Sequence, residues 1–478
     1  MSNPTGSQAE PGVSASKKNS VLWCNPLQCR WGSYYFPQRI VLAILLHLCL
    51  QNNFTTRVVL NVAIVEMAEP DPSAGNYTPA CPQFAPPVHT KFGGKFPWSR
   101  NILSLVLYSF FIGYTLSQIP GGWFADKFGA RPVILFSVFC TTLCTVAFPI
   151  CTEKWGYVAA VILRFLIGMS HGFCMPCISS MVSTWYPPVE RPKWGGLAFA
   201  GTNLGNIMGN MITGVLIQSF NWWPVAFYFW ASYSGLFFFL VLLLLYSYPD
   251  THPFISKEEA DFIRENTMST VPVKRSLRTP WKAILLNAPY WANVAAQFGH
   301  NYIYFTLVTF LPTYMREILR FDVSSDGFVS AAPFLALWLT SLVLSATAAL
   351  FIKCTSEWFF NCVFGAGSNV ASAFLALAAV YAGCNRLLCI SFYIVSMIFK
   401  AFYYVTLPVN INRLSKKYGG FMFGLCNSMG SISGIISSAI IGSVTKHVWH
   451  KNYLILNIGC FLETIARVAI CFLDHTRC

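Results

Sequence analysis

The feature that most constrains this chain is a series of long apolar blocks. One of them, residues 225–246, reads VAFYFWASYSGLFFFLVLLLLY, which as a helix can cross the roughly 30 Å hydrocarbon core of a bilayer. Only 10% of the 478 residues are charged, whereas soluble domains carry roughly 25%. A spanning segment must satisfy its own backbone hydrogen bonds, and no block alternates as a barrel strand does. The sequence therefore predicts an all-α membrane protein.

Twelve apolar blocks can be placed along the chain, which predicts twelve transmembrane helices. The predicted spans are 41–66, 101–122, 131–151, 156–178, 194–218, 224–248, 290–314, 327–352, 359–381, 387–409, 419–443 and 452–473. They form an N-terminal six-helix half and a C-terminal six-helix half, joined by a polar linker and flanked by two tails. The predicted domains are the tail 1–38, the half 39–248, the linker 249–289, the half 290–473 and the tail 474–478. Residues 1–38 lack the apolar core of a cleavable signal peptide.

A short internal repeat supports the division into two halves. The segment WGGLAFAGTN (194–203) opens the fifth predicted span, and YGGFMFGLCN (418–427) opens the eleventh. Asn203 and Asn427 are among the residues that match at one constant offset. Repeats of this kind recur in transporters, although glycines at helical spacing also serve close helix packing alone.

The basic residues are unevenly distributed over the predicted loops. With both termini in the cytosol, 19 Lys and Arg lie in cytosolic segments and 9 in external ones, so the positive-inside rule selects this orientation. The net charge of +14 then reflects membrane topology, and no nucleic-acid partner is expected, because the basic residues do not cluster on one soluble face.

The first external loop contains Asn76-Tyr77-Thr78, which predicts a glycan on Asn76.

No catalytic or cofactor motif is present in the sequence. Most of the 17 cysteines lie in apolar blocks, where cysteine behaves as a small hydrophobe, and Cys81 and Cys384 on the predicted external side do not make a disulfide framework. No nucleotide loop, metal-ligand cluster or nucleophile–base pair is found. We therefore expect no enzyme activity, no cofactor and no metal.

The most specific motif is GGWFADKFGARP (121–132), in the predicted cytosolic turn after the second span. It resembles the loop signature of the major facilitator superfamily. The matching residues are Gly122, Asp126, Lys127, Gly129 and Arg131. Glycine permits a tight turn and close helix approach, and the aspartate can pair with basic groups or with a helix N-terminus. The motif is predicted to be a conformational latch. The equivalent turn, 345–357, lacks the aspartate.

Four further segments resemble a single family within that superfamily. They are HLCLQNNFTTRVVLNVAIVEM (47–67), SFFIGYTLSQIPGGW (109–123), STWYPPVERPKWGGLAFAG (183–201) and NYIYFTLVTFLPTYMREILRFDV (301–323). The family comprises sialin, the vesicular glutamate transporters and the type-I phosphate and organic-anion carriers, and the resemblance is closest to the sialin branch. It covers roughly residues 39–470 and implies a facilitator fold that moves a small organic anion by alternating access.

Two arginines within predicted spans are candidates for binding that anion. Arg57 lies deep in the first span, where a charge is costly unless satisfied, and Asn53, Arg57 and Asn61 share one helix face. Such a stripe predicts a cavity wall, and a guanidinium group suits a carboxylate. The alternative is a structural ion pair, although Glu66, the nearest acid of that span, is more than two turns away. The resemblance implies the same substrate role for Arg57 and Arg164.

His171 marks the largest departure from the family pattern. Arg164, Gly168, His171 and Met175 share one face of the fourth span. The resemblance places His171 where the family has a glutamate associated with proton coupling, and Ile167 where sialin has another. Histidine titrates near neutral pH, so His171 is a candidate for coupling. An interior, hydrogen-bonded histidine without a coupling role is the alternative.

The resemblance, together with a polar, aromatic patch in the seventh span, adds further candidates for the substrate site. They are Tyr114 in the second span, His300, Asn301 and Tyr302 in the seventh, and Asn410 and Asn412 in the tenth. The leading interpretation is a secondary active or facilitated carrier of sialic acid-like or acidic amino acid-like anions, with proton or sodium as the coupling ion. A sodium- or voltage-driven phosphate or organic-anion carrier remains open, as does a transport-incompetent receptor or scaffold. We expect a monomer in the plasma membrane or in a lysosomal or vesicular membrane.

Overall fold

The structure is a computed structural model of the chain. It describes residues 37–67, 96–188, 190–267, 281–317, 319, 323–354, 365, 367–414 and 419–444. The predicted glycosylation site Asn76, the twelfth predicted span and the C-terminal tail therefore lie outside the described residues.

The described residues form a bundle of long helices, as the apolar blocks predict. The helices are α1 (Gln38–Met67), α2 (Arg100–Phe128), α3 (Ala130–Trp185), α4 (Arg191–Phe220), α5 (Pro224–Leu244), α6 (Lys257–Thr267), α7 (Trp281–Leu285), α8 (Ala288–Glu317), α9 (Val323–Cys354), α10 (Ser368–Tyr381), α11 (Arg386–Lys400), α12 (Tyr403–Leu414) and α13 (Gly419–Val444). The eighth predicted span is one continuous helix, α9, in spite of Pro333.

Helix α3 contains two predicted spans in one element. Its 56 residues would reach about 84 Å if they were straight, at 1.5 Å per residue, which is far more than one crossing requires. Gly156 interrupts the helix with φ 65° and ψ −149°, a conformation that glycine adopts without steric cost. The first and second segments of α3, before and after Gly156, thus correspond to the third and fourth predicted spans.

The tenth predicted span, 387–409, is divided in the structure. Helix α11 ends at Lys400, which is fully buried, and α12 begins at Tyr403. Between them, the backbone N–H groups of Ala401 and Phe402 donate to the carbonyls three residues earlier, Ile398 and Phe399. Such bonds tighten a helix end. The predicted span thus remains one apolar stretch, Arg386–Pro408, with a break inside it.

Five stretches of the described helices are long and apolar enough to cross a membrane by length and composition. They are Asn101–Phe128, Ala130–Trp185, Pro224–Leu244, Phe328–Thr347 and Arg386–Pro408. Helix α1 is not among them, because it carries buried polar side chains that include Gln51, Asn52 and Arg57. Polar residues on a spanning helix face the interior of the bundle, so α1 is a helix of the bundle centre.

Two helix pairs join the parts of the chain before and after the linker. Helix α4 packs against α9, and α2 packs against α13. Since α4 and α13 carry the repeated segment found in the sequence, the two contacts are related by the internal repeat. We call the helices α1–α5 the N half and α8–α13 the C half.

The linker helix α6 is attached to the N half through Glu259. Its carboxylate accepts hydrogen bonds from the backbone N–H groups of Gln38 (3.0 Å) and Arg39 (3.1 Å) at the start of α1, where an acidic group is favourable. The Arg39 side chain pairs with Glu259 at 3.2 Å and with Glu190 at 2.9 Å. These contacts fix the linker beneath the predicted cytosolic end of α1.

Candidate functional site

A small cavity lies where α1, α2 and the second segment of α3 converge. Its walls are formed by Leu50, Asn53, Phe54, Arg57, Phe110, Tyr114, His171 and Met175. The polar stripe predicted on α1 thus reaches the cavity through Asn53 and Arg57. Asn61, on the same helix face, instead donates to the carbonyl of Val308 on α8 at 3.2 Å.

Arg57 is surrounded by aromatic rings. The residue is 2% exposed, and its Cζ atom lies 4.5–5.3 Å from the ring centroids of Phe54, Phe110, Phe111 and Phe305. Its Nη1 and Nη2 atoms have no hydrogen-bond partner among the described residues. No acid of the described chain forms an ion pair with Arg57, so the structural ion pair considered for this arginine is not found there.

Arg164 lies beside Arg57 and is also buried. Its Nη1 donates to the backbone carbonyl of Arg57 at 3.3 Å, and its Cζ lies 5.1 Å from the ring centroid of Phe110. Its Nε has no hydrogen-bond partner within the described part of the chain. Two neighbouring cations without an acid are costly in a low-dielectric interior. An anion bound between the α1 and α3 side chains would offset that cost.

His171 lies in the cavity wall next to these cations. Its Nε2 is 3.2 Å from Oγ1 of Thr56 on α1, and its ring meets that of Phe110 edge to face, with centroids 5.5 Å apart. His171 is therefore both an interior hydrogen-bonded residue and a cavity residue. A role in coupling stays a prediction.

Tyr114 connects the cavity to the C half. Its hydroxyl accepts a hydrogen bond from Asn427 Nδ2 on α13 at 3.2 Å. Asn427 also donates to Gln118 Oε1 at 2.6 Å and accepts from Gln297 Nε2 at 2.8 Å. Asn301, a predicted site residue, donates to the same Asn427 oxygen at 3.3 Å. These side chains form a buried polar network between α2, α8 and α13.

The repeat-related residue Asn203 makes the corresponding connection from the N half. Its Oδ1 accepts hydrogen bonds from the hydroxyls of Tyr304 (3.1 Å) and Tyr404 (3.0 Å), both in the C half. Asn203 and Asn427 thus each bond to side chains of the opposite half. The sequence identified the two asparagines as equivalent, but their partners could not be read from the repeat.

Among the remaining predicted site residues of the C half, His300, Tyr302 and Asn410 do not line the cavity. His300 is stacked on Tyr403, with ring centroids 3.6 Å apart, and Tyr302 is buried within α8. Asn410 donates to Asn293 Oδ1 at 3.2 Å. Asn412 belongs to α12, but its side chain is outside the described part of the structure.

The predicted latch connects the two halves at the predicted cytosolic end. Oδ1 of Asp126 accepts a hydrogen bond from Ser180 Oγ at 3.1 Å, and Oδ2 accepts one from the backbone N–H of Phe421 at 3.2 Å. Phe421 lies in the first turn of α13, where a carboxylate interacts favourably with the helix dipole. A Cβ atom on Gly122 would lie only 2.6 Å from the carbonyl oxygen of Gly420, so glycine permits this close approach.

The basic residues of the latch motif contact groups near the ends of α2 and α5. Arg131 donates from Nη2 to the carbonyl of Leu242 at 2.7 Å, and its backbone N–H donates to Ser247 Oγ at 2.9 Å. Lys127 Nζ lies 4.5 Å from the ring centroid of Trp123. Gly129 separates α2 from α3 with φ 88°, which favours glycine.

Sequence reasoning missed the aromatic surroundings of the arginines. Phe110, Phe111 and Phe305 are typical apolar residues of a spanning helix, and no spacing signal distinguishes them from residues that face lipid. Their proximity to Arg57 depends on how α2 and α8 pack against α1.

Known proteins resemble this chain over most of its length. The family model described as Major Facilitator Superfamily matches residues 45–438. Sialin of Homo sapiens is 33% identical over 403 residues, covering 82% of this chain and 80% of that protein. Vesicular glutamate transporter 3 of Danio rerio is 29% identical over 444 residues, covering 91% of this chain and 71% of that protein.

A solved structure has the same fold. It is the proton:xylose symporter XylE bound to 6-bromo-6-deoxy-D-glucose, with a TM-score of 0.66 and 11% identity, covering 92% of this chain and 95% of that one. At this identity the likeness concerns the fold alone.

Proposed function

Because the chain belongs to the Major Facilitator Superfamily, we propose that it carries small organic anions across a membrane by alternating access. The observation that carries this proposal is the pair of buried guanidinium groups of Arg57 and Arg164, which no acid neutralises among the described residues. A buried cation is retained in a membrane protein chiefly where it has a functional partner. A small anion is the partner that fits two neighbouring arginines.

The substrate class follows from the donors that line the cavity. Nη1 and Nη2 of Arg57 are buried and have no hydrogen-bond partner within the described chain, and a guanidinium group binds a carboxylate through two parallel hydrogen bonds. The Tyr114 hydroxyl and the His171 ring lie in the same wall. We therefore propose a carboxylate of the sialic acid or acidic amino acid type, in keeping with the transporters that the chain resembles.

Alternating access requires that the contacts between the halves break and form again. The Asp126–Phe421 bond and the close approach of Gly122 to Gly420 join the halves at one end of the bundle. The bonds of Asn203 and Asn427 join them in the interior. These hydrogen bonds and close backbone contacts must break when the halves move apart.

A second candidate is a phosphate or organic-anion carrier driven by sodium or by membrane potential. It is favoured by Ile167, which is buried on α3 one turn before His171 and cannot titrate. Two arginines without a nearby carboxylate also suit phosphate, because guanidinium binds both anions through paired hydrogen bonds.

The test is uptake by the purified protein in liposomes. Radiolabelled sialic acid, glutamate and phosphate are offered separately under an imposed pH gradient, sodium gradient or membrane potential, with protein-free liposomes as the control. We expect accumulation of at least one carboxylate. Accumulation of phosphate alone would favour the second candidate. If no anion accumulates while the protein remains folded in the vesicles, the transport proposal is wrong and a receptor or scaffold role is favoured.

A further inference from the structure

We propose that Phe110 is a positioning residue for anion binding, whose ring holds the guanidinium groups of Arg57 and Arg164 in place. This inference rests on the proposed function, because it explains how two like charges can remain side by side at the substrate site.

The geometry places Phe110 against both cations. Its ring centroid is 4.9 Å from Cζ of Arg57 and 5.1 Å from Cζ of Arg164. The residue is 1% exposed, and its ring is also in contact with those of His171 and Tyr114, at 5.5 and 5.7 Å between centroids. Phe110 therefore contacts both Tyr114 and His171, the two residues outside α1 that bring a polar ring to the cavity wall.

The backbone of Phe110 is held rigidly enough for this role. A Cβ atom on Gly168 would overlap the Phe110 carbonyl oxygen, so α2 and α3 approach each other with almost no space between their backbones. Small residues permit such close packing of membrane helices. Because Arg164 lies one turn before Gly168 on the same helix, this crossing fixes the position of the Phe110 ring relative to Arg164.

An aromatic ring suits this position better than a carboxylate would. The negative face of a ring attracts a guanidinium cation and thereby offsets part of the cost of burying it. A carboxylate would also offset the charge, but it would accept the N–H donors of the arginine. The ring leaves those donors available to a substrate carboxylate. Phe110 thus offsets part of the cost of burying both cations without competing with the anion.

The test compares the same substitution, phenylalanine to leucine, at Phe110 and at a second buried phenylalanine. Phe148 is the control, because it is also fully buried and its ring stacks on Phe227 at 4.8 Å, away from the cavity. Anion uptake is measured for Phe110→Leu, Phe110→Tyr and Phe148→Leu, and is normalised to the amount of folded protein. We expect Phe110→Leu to raise KM roughly three- to tenfold, with a smaller change in kcat. Phe110→Tyr should keep a KM near that of the wild type, and Phe148→Leu should not change it.

A second variant keeps the test decisive if Phe110→Leu does not fold. Trifluorinated phenylalanine at position 110 retains the shape of the ring but weakens its negative face, so KM should again rise. An unchanged KM in the folded Leu variant or in the fluorinated variant would overturn the role of Phe110, as would an equal rise for Phe148→Leu. A wild-type protein that takes up no anion would instead contradict the proposed function.

Discussion

Arg164 donates a hydrogen bond from Nη1 to the backbone carbonyl oxygen of Arg57 at 3.3 Å. The bond joins α1 to the second segment of α3 and holds a second buried cation beside Arg57, which lines the cavity. Because it uses the carbonyl of Arg57 and not its side chain, the Nη groups of Arg57 remain available within the cavity. The proposed function uses this pair as a single anion-binding unit carried by one half of the molecule.

Replacing either arginine with alanine should abolish high-affinity uptake. A hydrogen bond to a charged group contributes about 1.5–3 kcal/mol, so loss of a paired contact should raise KM for the anion at least about tenfold. Arg57→Lys should be almost as defective, because an ammonium group lacks the planar fork of guanidinium. The measurement is the KM of anion uptake in liposomes. Arg386→Ala is the control, since Arg386 bonds to the carbonyl of Leu319 outside the cavity. A wild-type KM in Arg57→Ala or Arg164→Ala would refute the assignment.

Removing the charge of Asp126 should loosen the contact between the halves. In Asp126→Asn the helix dipole of α13 loses its anionic partner, an interaction of about 0.3–1 kcal/mol. Hydrogen exchange at the first turn of α13, including the amide of Phe421, should become about two- to fivefold faster. Asp250→Asn, at an exposed linker position, is the control. Equal exchange in the wild type and Asp126→Asn would argue against the latch.

Anion uptake should rise as pH falls, through His171. Protonation of this side chain adds a positive charge near Arg57 and Arg164, and a bound anion offsets that charge, so proton and anion binding favour each other. Uptake at clamped potential is measured from about pH 5.5 to pH 8, around the usual range of imidazole titration. His171→Gln should flatten the profile, and His171→Glu should restore a steeper one.

A second histidine serves as the control for this pH profile. His252 lies in the linker, outside the spans, and burial lowers its pKa from the ordinary value. His252→Gln should leave the pH profile of uptake unchanged. If His171→Gln and His171→Glu both keep the wild-type profile, His171 is not the titrating group, and its hydrogen bond to Thr56 is its structural role.

Asn76 should carry an N-linked glycan in cells that glycosylate membrane proteins. The sequon lies in the first predicted external loop, on the side that the distribution of basic residues selects. Endoglycosidase treatment should shift the electrophoretic band of the wild type but not that of Asn76→Gln. A second sequon match, Asn53-Phe54-Thr55, is an internal comparison. Asn53 is buried within α1, so Asn53→Gln should retain the shift. Labelling of residue 76 from the cytosolic side would overturn the topology.

Part of the candidate site could be predicted because helical spacing is a local property. Asn53 and Arg57 lie one turn apart, so one helix face had to carry both, and a charged face inside a span must avoid lipid. Helical spacing did not predict that Asn61 donates a hydrogen bond to Val308 of α8 instead of lining the cavity. That outcome depends on the position of α8 relative to α1, which is not encoded in the spacing along α1.

The sequence by itself determined that this protein is a bundle of membrane-spanning helices. Within lipid the backbone must satisfy its own hydrogen bonds, and blocks of this length and composition leave the helix as the available solution. The repeat also made Asn203 and Asn427 equivalent positions of the two halves. Only the tertiary structure decided that each of these asparagines bonds to the opposite half, and that rings from α1, α2 and α8 surround Arg57. The reason is that these partners are far apart in sequence. A phenylalanine that faces lipid and one that faces a buried cation cannot be distinguished in the sequence, because only the packing of the helices determines what each ring contacts.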